Sequence, residues 1–313
     1  MNEYTQLINH IGMPHLKFLN KGMQCLVFEE SEETVIKVYG TQIGKKNLYR
    51  LLDFYKSLDT SQVNFKVPKI KEIKEIKERI LVREQKFRGV SLNINRLKEL
   101  EKKEIETFLA SYVDTLFQIQ YIKSSFISKA EPLDLSGKFF EYRQYVDWTN
   151  LIIHNMNRKY DANRVEFEKE IRDIKQLMKL LTKEIKKIEL KEYKLIHGDY
   201  FPANLMVNSN FKVTAVLDFG ILTTLGDPLF DIALGWLFSD MYDQIKRFPI
   251  KDYVGNLIRK RIGDGNFKRL ILYLLIYSLI SADMYGTEDQ ERGHFNWAIE
   301  NLKNREFRKL LVV

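Results

Sequence analysis

The segment LIHGDYFPANLMVNSNFKVTAVLDFG, residues 195–220, constrains this chain more than any other stretch. Its apolar runs at 205–207 and 213–217 read as two short strands joined by the polar turn Asn208-Ser209-Asn210, so the chain returns to roughly its starting level. That return predicts Asp218 beside Asn204, with Asp199 five residues before Asn204. A carboxylate and an amide oxygen converging there suit the hard cation Mg²⁺, which takes oxygen ligands and keeps waters and phosphates for the rest of its shell. Asp199 then remains to hold an attacking hydroxyl, and phosphoryl transfer asks little more of a protein than that. The competing reading is that Asp199 and Asn204 only cap turns and Asp218 only ends a strand.

The rest of the chain supplies the frame. With 313 residues, 45% hydrophobic, and only 15 Gly and 6 Pro, it buries one large core or two modest ones and carries no internal repeat. Strand-like runs QCLVFEE and TVIKVYG flank the turn-like SEE, helical spacing follows at Leu48, Leu51, Leu52, Tyr55 and Leu58, and ERILVRE is another strand. From about residue 97 long helical stretches take over. The fold class is therefore α+β and bilobal. Residues 1–88 form a strand-rich N-lobe, an antiparallel sheet plus one helix, and residues 89–313 a helical C-lobe, jointed at REQKFRG, residues 83–89. Ile70, Ile73 and Ile76 repeat every third residue, which fits neither a strand nor a sustained helix, and read as a strand or edge hairpin.

Charge and cysteine content narrow the classes. The net charge is +8, yet lysines interleave with glutamates as in IKEIKEIKER, residues 70–79, which cancels the local field and argues against nucleic acid. The single cysteine, Cys25, excludes an internal disulfide framework, and the N-terminal sequence lacks the order of a secretory signal, so a cytoplasmic location is expected. The apolar run LILYLLIYSLISADM, residues 270–284, falls short of the roughly 20 residues of a membrane span and reads as a core helix.

HGDYFPAN, VLDFG and GDPLFDIA in succession resemble the aminoglycoside phosphotransferase and choline kinase superfamily, whose fold is similar to that of protein kinases. The resemblance implies Asp199 as base, Asn204 and Asp218 as metal ligands, and His197 as an organiser of the loop. Asp227 before Pro228 is itself a helix N-cap signal. The resemblance sets Asp231 against the catalytic loop, while a favourable helix-dipole partner is the other reading. NKGMQCLVF, residues 20–28, resembles the family's phosphate-covering turn, with Gly22 allowing close backbone approach. Lys37 takes the place of the strand lysine that reaches the α and β phosphates, and the backbone of Glu84, Gln85, Lys86 and Phe87 that of the adenine hinge. ATP, or GTP in its stead, is the implied donor with Mg²⁺. One part is missing: between Val38 and Leu58 no glutamate is present to pair with Lys37, and Asp53 is the only acid in that helix. Asp53 substitutes for it, or the lysine is positioned differently, or nucleotide affinity is weak.

Phe201 stands where serine/threonine kinases usually carry Lys, and the interval between Asp218 and GDPLFDIA leaves no room for a long activation segment. A small hydroxylated acceptor is therefore expected rather than a protein. The chain is most similar to the hygromycin B phosphotransferase type of aminoglycoside kinase, through VIKVYGTQIGKKNLYRLLDFY, RGVSL and LIYSLISADMYGTEDQERGHFNWAIENL, a branch that also lacks a clear helix glutamate. A polycationic acceptor needs acids, for which Asp240, Asp243, Asp283, Glu288 and Asp289 are candidates. A metabolite kinase for choline, homoserine or a sugar would use the same catalytic residues, and a choline cage would draw on Trp236, Tyr242, Tyr285 and Trp297. A non-catalytic member would have lost the base or a metal ligand, and this chain keeps both.

Overall fold

A computed structural model of the chain describes residues 3–312, apart from 23, 41–43, 93, 242–248 and 287–292. Helix α1 (Glu3–His10) leads into strands β1 (Lys17–Lys21), β2 (Cys25–Ser31) and β3 (Thr34–Tyr39). Helix α2 (Lys45–Ser57) runs into the short β4 (Leu58–Asp59), and β5 (Ile70–Ile76) and β6 (Arg79–Gln85) complete an antiparallel sheet of order β1-β2-β3-β6-β5. Alternation along the strands sorts their side chains to two faces. Ile36, Val38, Leu81 and Phe28 go to one, where Ile8 of α1 covers them. Tyr39, Ile80 and Val82 go to the other, with Leu48, Phe54 and Tyr55 of α2. The sheet thus carries a helix on each face, one more than the sequence pattern indicated.

The three-residue isoleucine period resolves into a bulge. The register of β5 against β6 shifts between Ile70 and Glu72, so Lys71 is the extra residue, and Ile70 and Ile73 reach the same core cluster. Ile76 turns to the α1 face. Lys77 and Glu78, with φ of 46° and 63°, then close the hairpin in the left-handed conformation that two-residue turns favour.

After β6 the chain crosses at Gly89 to β7 (Val90–Ser91), which pairs with the strand of residues 205–207 across the joint. Gly89 has φ +116°, and a Cβ there would lie 2.5 Å from the Val207 carbonyl oxygen, so only glycine fits. Helices α3 (Ile94–Glu99) and α4 (Lys102–Gln118), strand β8 (Lys123–Ser124), and helices α5 (Trp148–Ala162), α6 (Arg164–Glu170) and α7 (Ile174–Ile185) follow. Next come β9 (Lys194–Ile196), the hairpin β10 (Leu205–Val207) and β11 (Val213–Val216), and β12 (Thr224–Gly226), which pairs with β9. Helices α8 (Pro228–Met241), α9 (Ile250–Ser281), α10 (Gly293–Lys303) and α11 (Arg305–Val312) end the chain. In α9 the backbone breaks at Gly263, and every residue from Leu270 to Ser281 is buried. Helices α4, α5, α7, α8, α10 and α11 all pack on α9, which explains an apolar surface on all sides. Among the described residues no helix is long and apolar enough to cross a membrane.

Candidate active site

The loop between β9 and β10 carries His197 and Asp199, and its shape is held from three sides. Gly198 has φ +79°, and a Cβ there would lie 2.4 Å from the Leu222 Cβ. Asp231, buried in the first turn of α8, accepts the backbone N–H groups of His197 at 2.8 Å and Gly198 at 2.9 Å through separate oxygens. Two directed bonds tie it to the loop, beyond the diffuse attraction of a helix dipole. Burial pushes the Asp231 carboxyl up to about 6, against the pull of those two N–H groups. The Thr223 hydroxyl donates to the His197 carbonyl at 2.7 Å.

His197 is fully buried, and its ring lies 4.3 Å from that of Phe219. Nε2 donates to the Leu217 carbonyl at 2.7 Å, and Nδ1 accepts the Asp199 N–H at 3.1 Å. Those bonds suit the neutral ring, and burial lowers its pKa to about 4. His197 therefore joins the Asp199 loop to the Asp218 loop as a structural link.

Asn204 donates through Nδ2 to the Asp199 carbonyl and to its Oδ2, both at 2.9 Å, which turns its amide oxygen away from Asp199. Burial pushes the Asp199 carboxyl up to about 7, opposed by the Asn204 amide and reinforced by Asp218 and Asp231. The hairpin pairs Leu205 with Val216, and the Leu217 N–H donates to the Asn204 carbonyl at 2.8 Å, so Asp218 follows directly beside Asn204. Asp218 adopts φ +57°, an uncommon conformation outside glycine that recurs at functional sites.

Lys37, from the inner face of β3, meets Asp218 Oδ1 at 2.6 Å and Glu84 Oε2 at 3.1 Å. The Lys37 ammonium holds the Asp218 carboxyl below its ordinary range. Burial works against Lys37, yet Asp218 and Glu84 together hold it well above its ordinary value. The sequence offered Glu84 as hinge backbone, whereas its side chain is what enters the site. Asp53 does not substitute for the missing helix glutamate, because it lies on the exposed side of α2.

The amides of Gln85 and Lys86 donate to the carbonyls of Lys69 and Glu33, both at 3.0 Å, and Phe87 continues toward the joint. Gly22 lies in the β1–β2 turn, where its N–H donates to the Cys25 carbonyl at 2.9 Å. Asp227 caps α8 through the Leu229 N–H at 3.1 Å, and its carboxylate also meets Arg269 and the Tyr273 hydroxyl, a buried network absent from the sequence reading.

A cavity of about 180 Å³ opens on Asp199 and Asn204, walled by Tyr200, Phe201, Leu234, Tyr277, Met284, Tyr285 and His294. Among its described lining residues the only acid is Asp199. Asp283 instead takes the Lys159 ammonium at 2.6 Å and the Asn163 amide at 3.1 Å. The side chain of Asp240, and the residues Asp243, Glu288, Asp289 and Tyr242, lie outside the described residues. Tyr285 joins the cavity wall, and Trp297 lies tilted against His294 with ring centroids 4.9 Å apart, but Trp236 faces away, donating to the Lys251 carbonyl.

Residues 26–255 match the phosphotransferase enzyme family, APH. That span is most of the chain, and the chain belongs to this family as a small-molecule kinase. No curated protein matches the sequence. Among solved structures it is similar to the apo form of a thermostable mutant of aminoglycoside phosphotransferase APH(4)-Ia, at 17% identity and a TM-score of 0.67, covering 98% of this chain and 97% of that one. It is also similar to the GDP complex of aminoglycoside 2'-phosphotransferase-IIIa, at 16% identity and a TM-score of 0.60, over 98% and 97% of the two chains. ADP-bound APH(2'')-Ib follows at 16% identity and a TM-score of 0.53, over 96% of each chain. At these identities the likeness establishes the bilobal kinase-like fold.

Proposed function

We propose that this enzyme transfers a phosphoryl group from ATP or GTP to a hydroxyl of a small molecule, foremost an aminoglycoside, in the cytoplasm. The observation that carries the reading is Asp199, held by the Asn204 amide at 2.9 Å and facing a cavity of about 180 Å³. Asp199 would orient the attacking hydroxyl and take its proton at the carboxylate, while Lys37 would meet the nucleotide phosphates. Asn204 and Asp218 offer one neutral and one anionic oxygen donor, a set that fits Mg²⁺ completed by phosphates and water. Bound there, the ion would neutralise charge on the phosphates. The Gly22 turn would cover the phosphates from residues 1–88, the carbonyls of Glu84 to Phe87 and the Phe87 amide would take the base, and residues 89–313 would hold the acceptor.

Support for the acceptor class comes from neighbours in complex with gentamicin and with GDP and kanamycin. Recognition of a polycation would then fall to Asp240, Asp243, Glu288 and Asp289, with Asp283 neutralised by Lys159. The aromatic wall of Tyr277, Tyr285 and His294 favours a second reading, a metabolite kinase whose acceptor stacks on rings or presents a quaternary ammonium. A coupled nucleotide-turnover screen against aminoglycosides, choline, homoserine and sugars separates the two. Asp199→Asn should lower turnover of the active acceptor at least about a hundredfold with the fold intact, and near-normal turnover in that variant would sink the assignment.

A further inference from the structure

The inward side chains of α2 are Leu48, Phe54 and Tyr55. This helix reaches the loop of Asp218 through rings, with Phe54 and Tyr55 at 5.7 Å and 6.1 Å from Phe219, and offers Lys37 no carboxylate. The sheet supplies one instead. Strands β3 and β6 pair with Val35 opposite Glu84 and Lys37 opposite Val82, so Lys37 and Glu84 are diagonal neighbours on one face. The Glu84 side chain is 5% exposed, with Oε2 at 3.1 Å from the Lys37 ammonium and Oε1 buried without a hydrogen-bond partner. A carboxylate kept in such a place is strongly disfavoured unless a cation compensates it.

Resting on the nucleotide-dependent reading of this site, we propose that Glu84 is the positioning residue for Lys37, in place of a helix glutamate. Lys37 stands between two carboxylates, and only one of them is a metal ligand candidate. When Asp218 turns to a divalent cation, the buried ammonium would lose its nearer counter-charge, and Glu84 keeps it compensated and aimed at the phosphates. Both partners sit on adjacent strands whose register is fixed by six residue pairs, so the contact is set within the sheet and does not depend on where α2 lies.

A double-mutant cycle tests this, with binding of Mg²⁺ and the β,γ-imido analogue of ATP, and of its GTP counterpart, measured by calorimetry on the full chain. Glu84→Gln should weaken binding about tenfold or more and Lys37→Met at least as much. The double variant should bind no more weakly than Lys37→Met alone, because Glu84 acts through Lys37. A merely structural glutamate would give losses that multiply. Glu84→Met, of similar volume and without a polar oxygen, repeats the cycle should thermal melting show Glu84→Gln unfolded. Wild-type affinity in either folded Glu84 variant, or multiplied losses in the double variant, overturns the assignment. Binding by the wild type that Asp218→Ala leaves unchanged, or no binding at all, overturns the phosphotransfer reading and this inference with it.

Discussion

Removing the Asp231 carboxylate should loosen the catalytic loop more than any other single change away from the reacting groups. Its two oxygens accept the His197 and Gly198 N–H groups at 2.8 and 2.9 Å, and both donors are buried. Asp231→Ala strands both. Each buried donor left unmade costs about 1–3 kcal/mol, so the pair amounts to about 2–6 kcal/mol. Asp231→Asn keeps one acceptor oxygen and sets an amino group against the other N–H, so its loss should be smaller. The assay is denaturant unfolding followed by tryptophan fluorescence, since Trp148, Trp236 and Trp297 all lie in the helical half of the chain and report on it. At roughly 2–4 °C per kcal/mol for a domain of this size, Asp231→Ala should also melt about 4–24 °C below wild type. Because His197 and Gly198 immediately precede Asp199, turnover should fall as well. An Asp231→Ala protein within about 0.5 kcal/mol of wild type would refute the account, since surface changes that break nothing fall in that range.

The remaining expectations are narrower. Asp218→Ala should weaken Mg²⁺-dependent nucleotide binding more than Asn204→Ala, because an anionic oxygen contributes more to a divalent cation than an amide does; titrating Mg·nucleotide into both variants would show equal or reversed losses if the ligand roles are wrong. His294 sits against Tyr285, Trp297 and Ser281, and burial lowers its pKa from 6.5 to about 4. Between those values the unfolded chain binds the proton and the folded one does not, so the His294 contribution to stability is full above about pH 6.5 and is lost as pH drops toward 4, by up to about 3 kcal/mol. His294→Gln should remove its own contribution to the slope of unfolding free energy over that window, leaving those of His197 and, with the opposite sign, Asp199 and Asp231, and an unchanged slope would contradict its buried neutral state.

What the sequence made legible and what it hid divide along a physical line. Asp199, Asn204 and Asp218 lie within twenty residues of one another and are joined by one hairpin, so spacing and turn chemistry suffice to place them together. His197 was legible as part of the loop and Asp231, through the resemblance, as packing against it, though only the geometry shows Asp231 accepting two N–H groups. Contacts that depend on strand register or on distant helices left no such trace. The Lys37–Glu84 pair exists because β3 and β6 align in one register, and a slip of one residue in either strand would send its member of the pair to the α1 face. Asp283 read as a candidate for a cationic acceptor because nothing local revealed Lys159, more than a hundred residues earlier, as its counter-ion. The isoleucines of β5 obscured their strand for a related reason, since the bulge at Lys71 breaks the period of two on which strand recognition rests. The charge that a helix acid would have brought to Lys37 is present all the same, carried by a residue whose backbone looked like hinge. A glutamate absent from α2 is therefore no sign of a weakened nucleotide site when the neighbouring strand turns a buried carboxylate onto the same ammonium.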